Sequence, residues 1–330
     1  MKLSLTLSIA AGLLAAACAP QAPPPQGKTQ IRFATDWRAE AEQGGYYEAL
    51  AEGEYARRGL DVTFVPGGPG VNVPQLVASR ATEMGIGSNS FIVLNLAAQQ
   101  APVRAVAAFM QKDPQVLLAH PGVGIRSLAD MRGHPILLSD ASISAFWVWL
   151  KAKYGFTDDQ VRKYAFSNAP FLADKRLVQE GYLTSEPYTI EKQGGMKPRV
   201  FLLADEGYPG YASMVIVSDR FIAAHPAAVR AFVEASAKGW RDYLHGDPAP
   251  ADRLILKDNP EMSEDVLAQA RDKMRQYGIV DSGEAARAGP GAMTDKRWAD
   301  FFAIASGQGV YAKSVNYRAA YSLAFLPKAP

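Results

Sequence analysis

The sequence predicts an α/β protein of two lobes with a ligand cleft between them. Short apolar, β-prone runs alternate with helical patterns along the body, and the alternation begins a second time near Arg126. A late run, 213–217, reads as a strand that leaves the second lobe to rejoin the first. About 300 residues of body suit two units of ordinary domain size.

The chain opens with Met1-Lys2, an apolar run over 3–17, Cys18 and a proline-rich stretch over 19–25. A positive start, an apolar middle and small residues before the break describe a secretory signal. Small residues at 15–17 directly before Cys18 resemble a bacterial lipobox, with Ala15 where leucine is usual and Leu14 one place off. The expectation is a signal peptide over 1–17, acylation of Cys18 and a tether over 18–29; the alternative is a plain signal peptide cut near 17–19. The apolar run is too short to span a bilayer, which takes about 20 residues. Cys18 is the single cysteine, so the body is expected to hold neither a disulfide nor a thiolate metal site.

The first lobe opens with a strand over 31–35 ending at Asp36-Trp37. A helix follows over 46–58, with Tyr47, Leu50, Ala51 and Tyr55 at helical spacing and Gly59 as its stop. A strand over 60–65 closes in the turn 66–70; a helix over 73–79, a strand over 83–87, a helix over 91–99 and a strand over 103–109 continue the pattern. Such alternation argues βαβ units on a parallel sheet.

In the second round, 127–133 reads as a short helix, 135–139 as a strand and 143–154 as a helix carrying Trp147 and Trp149, which cannot both face a cleft. Strands are expected near 163–166 and 200–203. A long amphipathic helix over 219–244 is interrupted at His225-Pro226 and presents Val229, Phe232, Val233, Ser236, Trp240 and Tyr243 on one face. Helices over 263–276 and 295–308 complete the chain. The expected division is lobe 1 over 30–118, lobe 2 over 119–212, and a return to lobe 1 with C-terminal helices over 213–330.

Composition narrows the function. With 48% hydrophobic and 21% charged residues and a formal charge of +2, the body resembles an ordinary globular protein without an electrostatic footprint for nucleic acid. The turn at 67–70 lacks the Gly-Lys-Ser/Thr ending of a nucleotide-binding loop. His120, His134, His225 and His245 are scattered, without metal-ligand spacing, and read as surface or capping residues. No clustered carboxylate pair stands out along the chain.

Five segments in order, over 31–246, carry a resemblance: Asp36-Trp37; the stretch 53–61; Met84-Gly-Ile-Gly87 after 79–82; 127–133; and 219–243. Together they resemble periplasmic substrate-binding proteins of the nitrate/sulfonate/taurine transporter class. Within that class the chain is similar to the branch of thiamine-pyrimidine synthases and pyrimidine-precursor binders. The resemblance implies a periplasmic-binding-protein fold of type II and the solute-binding role of an ABC importer. It implies closure of two lobes on a small molecule and delivery to an inner-membrane permease and its ATPase. It further implies a monomer in the periplasm or cell envelope, held to the membrane by a lipid anchor only, with no cofactor and no metal. The synthases use a lysine and a histidine where this chain has Gly87 and Phe91, another histidine near Gln43, and a cysteine-rich segment where 205–212 has none. A glycine forms no Schiff base, so the resemblance implies a binder and no catalytic residues.

The candidate ligand residues follow strand ends, where ligands of open α/β sheets bind. Trp37 is placed to stack on a flat ring, or else packs within its lobe. Gln43 and Tyr46 offer an amide and a hydroxyl, or are solvated loop residues. Ser88 and Asn89 follow the third strand, and Ser139 and Ser142 the strand of the second lobe; helix capping explains each pair equally. Glu186 is placed to accept hydrogen bonds from an amino group and Tyr188 to stack, with a surface turn as the plain alternative. Tyr208 and Tyr211 are placed on the hinge side. Trp37, Tyr46 and Tyr188 favour a planar nitrogen heterocycle, either a thiamine-related pyrimidine or a flavin-like ring. A sulfonate, taurine or nitrate ligand is the alternative, with Arg38 as the one arginine able to turn inward. A pyrimidine-synthase-like enzyme and an envelope ligand sensor are the remaining readings.

Overall fold

The computed structural model describes residues 27–68 and 70–327; the expected signal peptide, Cys18 and the tether up to residue 26 lie outside them. Ten strands occur in chain order: β1 (Thr29–Ala34), β2 (Leu60–Val65), β3 (Met84–Asn89), β4 (Val103–Met110), β5 (Gln115–Ala119), β6 (Ile136–Leu138), β7 (Val161–Lys163), β8 (Val178–Tyr182), β9 (Arg199–Leu202) and β10 (Ala212–Ser218). They form two five-stranded sheets, β2-β1-β3-β10-β4 and β7-β6-β8-β5-β9.

Each sheet is built around a strand whose residues are buried on both faces. All seven residues of β10 (ASMVIVS) and all five of β5 (QVLLA) are buried. Strands covered on both sides read as continuous apolar runs rather than alternating ones. In β1, one strand in from the edge of the first sheet, the alternation returns: Ile31 and Phe33 turn inward, while Arg32 faces out and pairs with Glu83 at 2.7 Å.

The expectation of parallel sheets is corrected. β1 is parallel to β2 and β3, and β6 to β7 and β8, but β10 runs antiparallel to β3 and β4, and β5 antiparallel to β8 and β9. The reversal follows from the crossings: the chain enters each sheet once from the other lobe, so the entering strand runs against its neighbours. The second sheet also begins at Gln115, inside the segment assigned to lobe 1, because β5 is the strand that makes this entry.

Most helices occur where the periodicity places them. The expected helix over 46–58 is two pieces, Gly44–Ala51 and Glu54–Arg57, broken at Gly53, whose φ is +72°. The long helix divides at His225 into Asp219–Ala224 and Pro226–His245, with proline in the first turn where its missing N–H costs nothing. All six residues of its predicted apolar face are fully buried. Burial of each large side chain contributes roughly 1.5–3 kcal/mol. Gly239 lets this helix approach Gly44–Ala51: a Cβ there would stand 2.1 Å from the carbonyl oxygen of Gly45. Helices Glu264–Tyr277 and Asp295–Gly307 close the first lobe. Trp147 and Trp149 are both core residues, 1% exposed.

Two short segments join the lobes, 111–114 and 203–211. Arg297 holds both: its guanidinium donates to the carbonyl of Gln111, to Gly210 O at 3.2 Å and to Pro209 O at 3.4 Å, and lies 4.0 Å over the Tyr211 ring. Glu284 fixes Arg297 from behind at 2.9 Å.

Candidate ligand cleft

The carboxyl ends of β1, β3, β6 and β8 and the loop after β7 converge between the lobes. From the first lobe come Asp36, Trp37, Glu40, Glu42, Gln43 and Ser88. From the second come Ser139, Ser142, Tyr164, Phe166, Glu180, Thr184 and Glu186.

Trp37 follows β1, and its ring meets Phe166 of the other lobe with centroids 4.4 Å apart and planes tilted by 46°. Phe166 is 40% exposed and also touches Tyr164 at 5.1 Å. Its backbone has φ +57°, in the left-handed region that a bulky side chain rarely adopts. The expected strand over 163–166 ends instead at Lys163, and the turn that follows brings this ring into the cleft. Such strain costs on the order of 1 kcal/mol and persists where surrounding structure enforces it.

Carboxylates surround the aromatic pair. Burial raises Asp36, against hydrogen bonds from Ser88 and Gln43. Glu40 is raised well above the usual range by burial and by the charges of Glu42, Glu186 and Asp36. Burial pushes Glu42 up to about 7, partly offset by the hydroxyl of Thr184, which donates to it across the lobes. Glu186 is raised by enclosure in the cleft while Oε2 accepts the Tyr182 N–H at 2.7 Å and Oε1 the Tyr164 hydroxyl at 3.4 Å. Burial also pushes Glu180 up to about 7; its Oε1 accepts the Ser139 N–H at 3.0 Å and its Oε2 is buried without a partner. Asp113, at the first lobe crossing, is likewise raised to about 7 by burial. The expectation of no clustered carboxylates is therefore corrected: folding gathers residues up to 150 positions apart in sequence, from Asp36 to Glu186. Among the described residues no group of three or more His, Cys, Asp or Glu is arranged to hold a metal ion.

The candidate residues divide. Trp37 and Glu186 stand in the cleft. Gln43 is buried and positions Asp36, donating to Oδ1 at 3.4 Å while its own Oε1 accepts the Glu40 N–H at 3.1 Å. Ser88 lies against Asp36. Asn89 ends β3 and caps the helix Ser90–Ala98, accepting Ile92 N–H at 3.2 Å. Ser139 and Ser142, joined at 2.9 Å, serve Glu180 as well as the local cap.

Two of the candidate ligand residues lie away from the cleft. The Tyr46 ring is fully buried against Phe33, Phe109 and Trp240, with its hydroxyl donating to Ser213 O at 3.2 Å, so no ring face remains for a ligand. Tyr188 turns toward the helix Glu264–Tyr277, where its hydroxyl donates to Asp265 at 2.6 Å beside Lys192. Each sits within the first turn of a helix that packs elsewhere, which turns its ring away from the strand ends beside it. Arg38 also stays outside the cleft, paired with Glu261 at 2.6 Å. His120 is buried and stacked on Phe171 at 4.3 Å, rather than at the surface. Tyr208 and Tyr211 are buried; Tyr208 stacks on Phe91, and Tyr211 carries the Arg297 clasp at the crossing.

Asp36, Glu40, Glu42, Tyr164, Phe166 and Glu180 were not singled out as ligand residues. The spacing of Asp36, Glu40 and Glu42 around Trp37 and the isolated Phe166 in a polar loop are signals for them, though weak ones in a single sequence. A separate hollow of about 650 Å³ lies behind the first lobe between Arg58, Trp240, Arg241 and Arg287, and none of the cleft residues lines it.

Comparison with known proteins agrees with this architecture. The NMT1/THI5-like family model matches residues 40–251. The riboflavin-binding protein RibY of Chloroflexus aurantiacus is 29% identical over 324 residues, covering 94% of this chain and 90% of that one. Among solved structures, the alkanesulfonate-binding protein SsuA of Xanthomonas axonopodis pv. citri, bound to MOPS, superposes with a TM-score of 0.65 at 14% identity, covering 89% of this chain and 98% of that one. A Candida albicans protein described as having the generic periplasmic-binding-protein fold gives 0.64 at 14% identity, covering 91% and 98%. The expected fold of two α/β lobes is thus shown.

Proposed function

The chain belongs to the NMT1/THI5-like family, and from that premise we propose that it is the extracytoplasmic solute-binding component of an ABC importer, capturing a planar nitrogen heterocycle between its lobes. A flavin-like ring is preferred over a thiamine-related pyrimidine. The carrying observation is the Trp37–Phe166 pair, one ring from each lobe, with hydrogen-bond acceptors on both sides. The two rings touch here; once parted by a small opening of the lobes they would stack on the two faces of an inserted ring while Asp36, Glu42 and Glu186 accept from its N–H and O–H groups. The similarity to a riboflavin-binding protein supports the flavin preference. Lobe closure on the ligand is the signal that a permease and its ATPase would read. Lipidation at Cys18 would keep a monomeric body at the membrane, in the periplasm or cell envelope.

A binding role, rather than a synthase role, is supported at the position that carries the synthases' lysine. A Cβ on Gly87 would stand 2.8 Å from Ile216 and 3.1 Å from Val93, so no long side chain fits there. Phe91, at the histidine position, is buried against Tyr208 and Phe301.

The test is titration of the purified protein with riboflavin, followed by quenching of flavin fluorescence, with thiamine, hydroxymethylpyrimidine, an alkanesulfonate and nitrate in parallel. Saturable binding of one heterocycle, weakened by Trp37→Ala, is expected. Binding of the sulfonate or nitrate alone would overturn the reading.

A further inference from the structure

The cleft gathers acid from both lobes without matching base. Asp36, Glu40 and Glu42 stand on the first lobe, Glu180 and Glu186 on the second, and each is raised above the usual carboxylate range. Arg38 is the cation that acts on Glu40, and its guanidinium is engaged by Glu261 outside the cleft. Carboxylates in structural networks are ordinarily satisfied by arginine or lysine, as Glu54 is by Arg57 and Arg58, or Asp252 by Arg271 at 2.7 Å. The cleft carboxylates instead lean on hydroxyls and N–H groups: Ser88, Thr184, Ser139, Tyr164 and the Tyr182 N–H. One carboxyl oxygen is left over. Glu180, 4% exposed, keeps Oε2 buried with no hydrogen-bond partner, beside Glu186 and Tyr164. An unmet buried acceptor is costly, and a donor that reaches it recovers that cost.

From this arrangement we infer that the cleft selects its ligand by charge, taking the neutral or cationic, hydrogen-donating form of a heterocycle and refusing the phosphorylated form of the same molecule. This inference rests on the proposed function and narrows it. A phosphate monoester brings close to two negative charges and acceptor oxygens only. Set among Asp36, Glu40, Glu42, Glu180 and Glu186 it meets like charge wherever these carboxyls are ionised, and above about pH 7, where Glu42 and Glu180 have given up their protons, it meets no donor there that the carboxylates have not already engaged. Such juxtaposition is how binding sites discriminate against a near-identical molecule. Hydroxyls of an unphosphorylated side chain, or an exocyclic amine, supply the missing donors.

Equilibrium binding to the purified chain at about pH 8, above the point where Glu42 and Glu180 give up their protons, tests this with matched pairs: riboflavin against riboflavin 5′-phosphate, and thiamine against thiamine monophosphate. In the pair that binds, the unphosphorylated member is expected to bind at least tenfold more tightly. The double variant Glu42→Gln/Glu186→Gln, which keeps shape and acceptor oxygens, is expected to narrow that ratio several-fold, chiefly by admitting the phosphate form. Glu180→Gln, which supplies its own donor in place of the unmet acceptor, provides a second, independent narrowing if the double variant fails to fold. A phosphate form that binds equally well, or a ratio unchanged in the folded variants, overturns charge selection and leaves the aromatic-cleft reading standing. Failure of both members of both pairs overturns the two together.

Discussion

The hydroxyl of Thr184, on the second lobe, donates a hydrogen bond to the carboxylate of Glu42, on the first. Both residues are buried, and the Thr184 carbonyl accepts in turn from Gln269 of the helix Glu264–Tyr277. The contact is therefore a latch between the lobes, made by groups that must find other partners when the lobes part. Thr184→Val keeps the shape but removes the donor, leaving Glu42 short of a partner. A cost of about 1–3 kcal/mol to the closed form is expected. It would appear as a larger radius of gyration in solution scattering and a lower melting temperature.

The pH dependence of stability follows from the raised carboxylates. Glu42, Glu180 and Asp113 at the cleft, and Glu48 within the helix Gly44–Ala51, retain protons to about 7 because burial disfavours their charge. The unfolded chain releases these protons near the ordinary value of about 4. Between those limits the native state binds more protons, so stability falls as pH rises through the window and levels off above about pH 7. Melting temperatures at pH 5.5 should exceed those at 7.5 by several degrees, at roughly 2–4 °C per kcal/mol. Glu42→Gln/Glu180→Gln should flatten the curve. A curve rising from pH 5.5 to 7.5 would contradict the assignment.

Phe166 separates strain from binding. Phe166→Gly removes the left-handed penalty along with the ring, so thermal stability should hold or improve slightly. Heterocycle affinity should fall by tenfold or more, since stacking on one aromatic face contributes about 1–3 kcal/mol. Trp37→Ala should cost a similar factor from the opposite side. Equal losses of stability and affinity in Phe166→Gly would mean that the ring serves packing alone.

The Arg297 clasp predicts a hinge defect. Lysine cannot reproduce a planar fork that donates to Gln111, Pro209 and Gly210 while covering Tyr211. Arg297→Lys should leave the two lobes folded but lower the melting temperature by several degrees. Amide exchange should rise over 111–114 and 203–211, with protection elsewhere unchanged.

Anchoring is checked by fractionation. Cys18→Ser should move the protein from the membrane to the soluble fraction of the envelope. A wild-type protein that is already soluble would favour the plain signal peptide.

Much of the fold was legible because periodicity is local. The buried face of Pro226–His245 and the strand Leu60–Val65 follow from spacing alone. Strands β5 and β8 were not, because QVLLA and VQEGY are short and take their strand character from neighbours far away in sequence. The site was legible only in part, for the same reason. Trp37 and Glu186 announce themselves beside strand ends, whereas Phe166 acquires its role from a backbone turn, and Glu180 from a missing partner. Tyr46 shows the converse: a tyrosine near the right strand is drawn into the core by Phe33, Phe109 and Trp240.

The register of β4 and β10 sets Met110 directly opposite Ala212. Cα atoms so paired stand about 4.5–5.5 Å apart, so the whole second lobe is spliced into what is otherwise a simple hairpin. A tight turn in place of residues 111–211 would reconnect strands already in register, leaving the first sheet with all five of its members. The molecule can thus be read as one self-contained unit with a detachable half, and the two edges of that splice are the same two cords on which the halves swing.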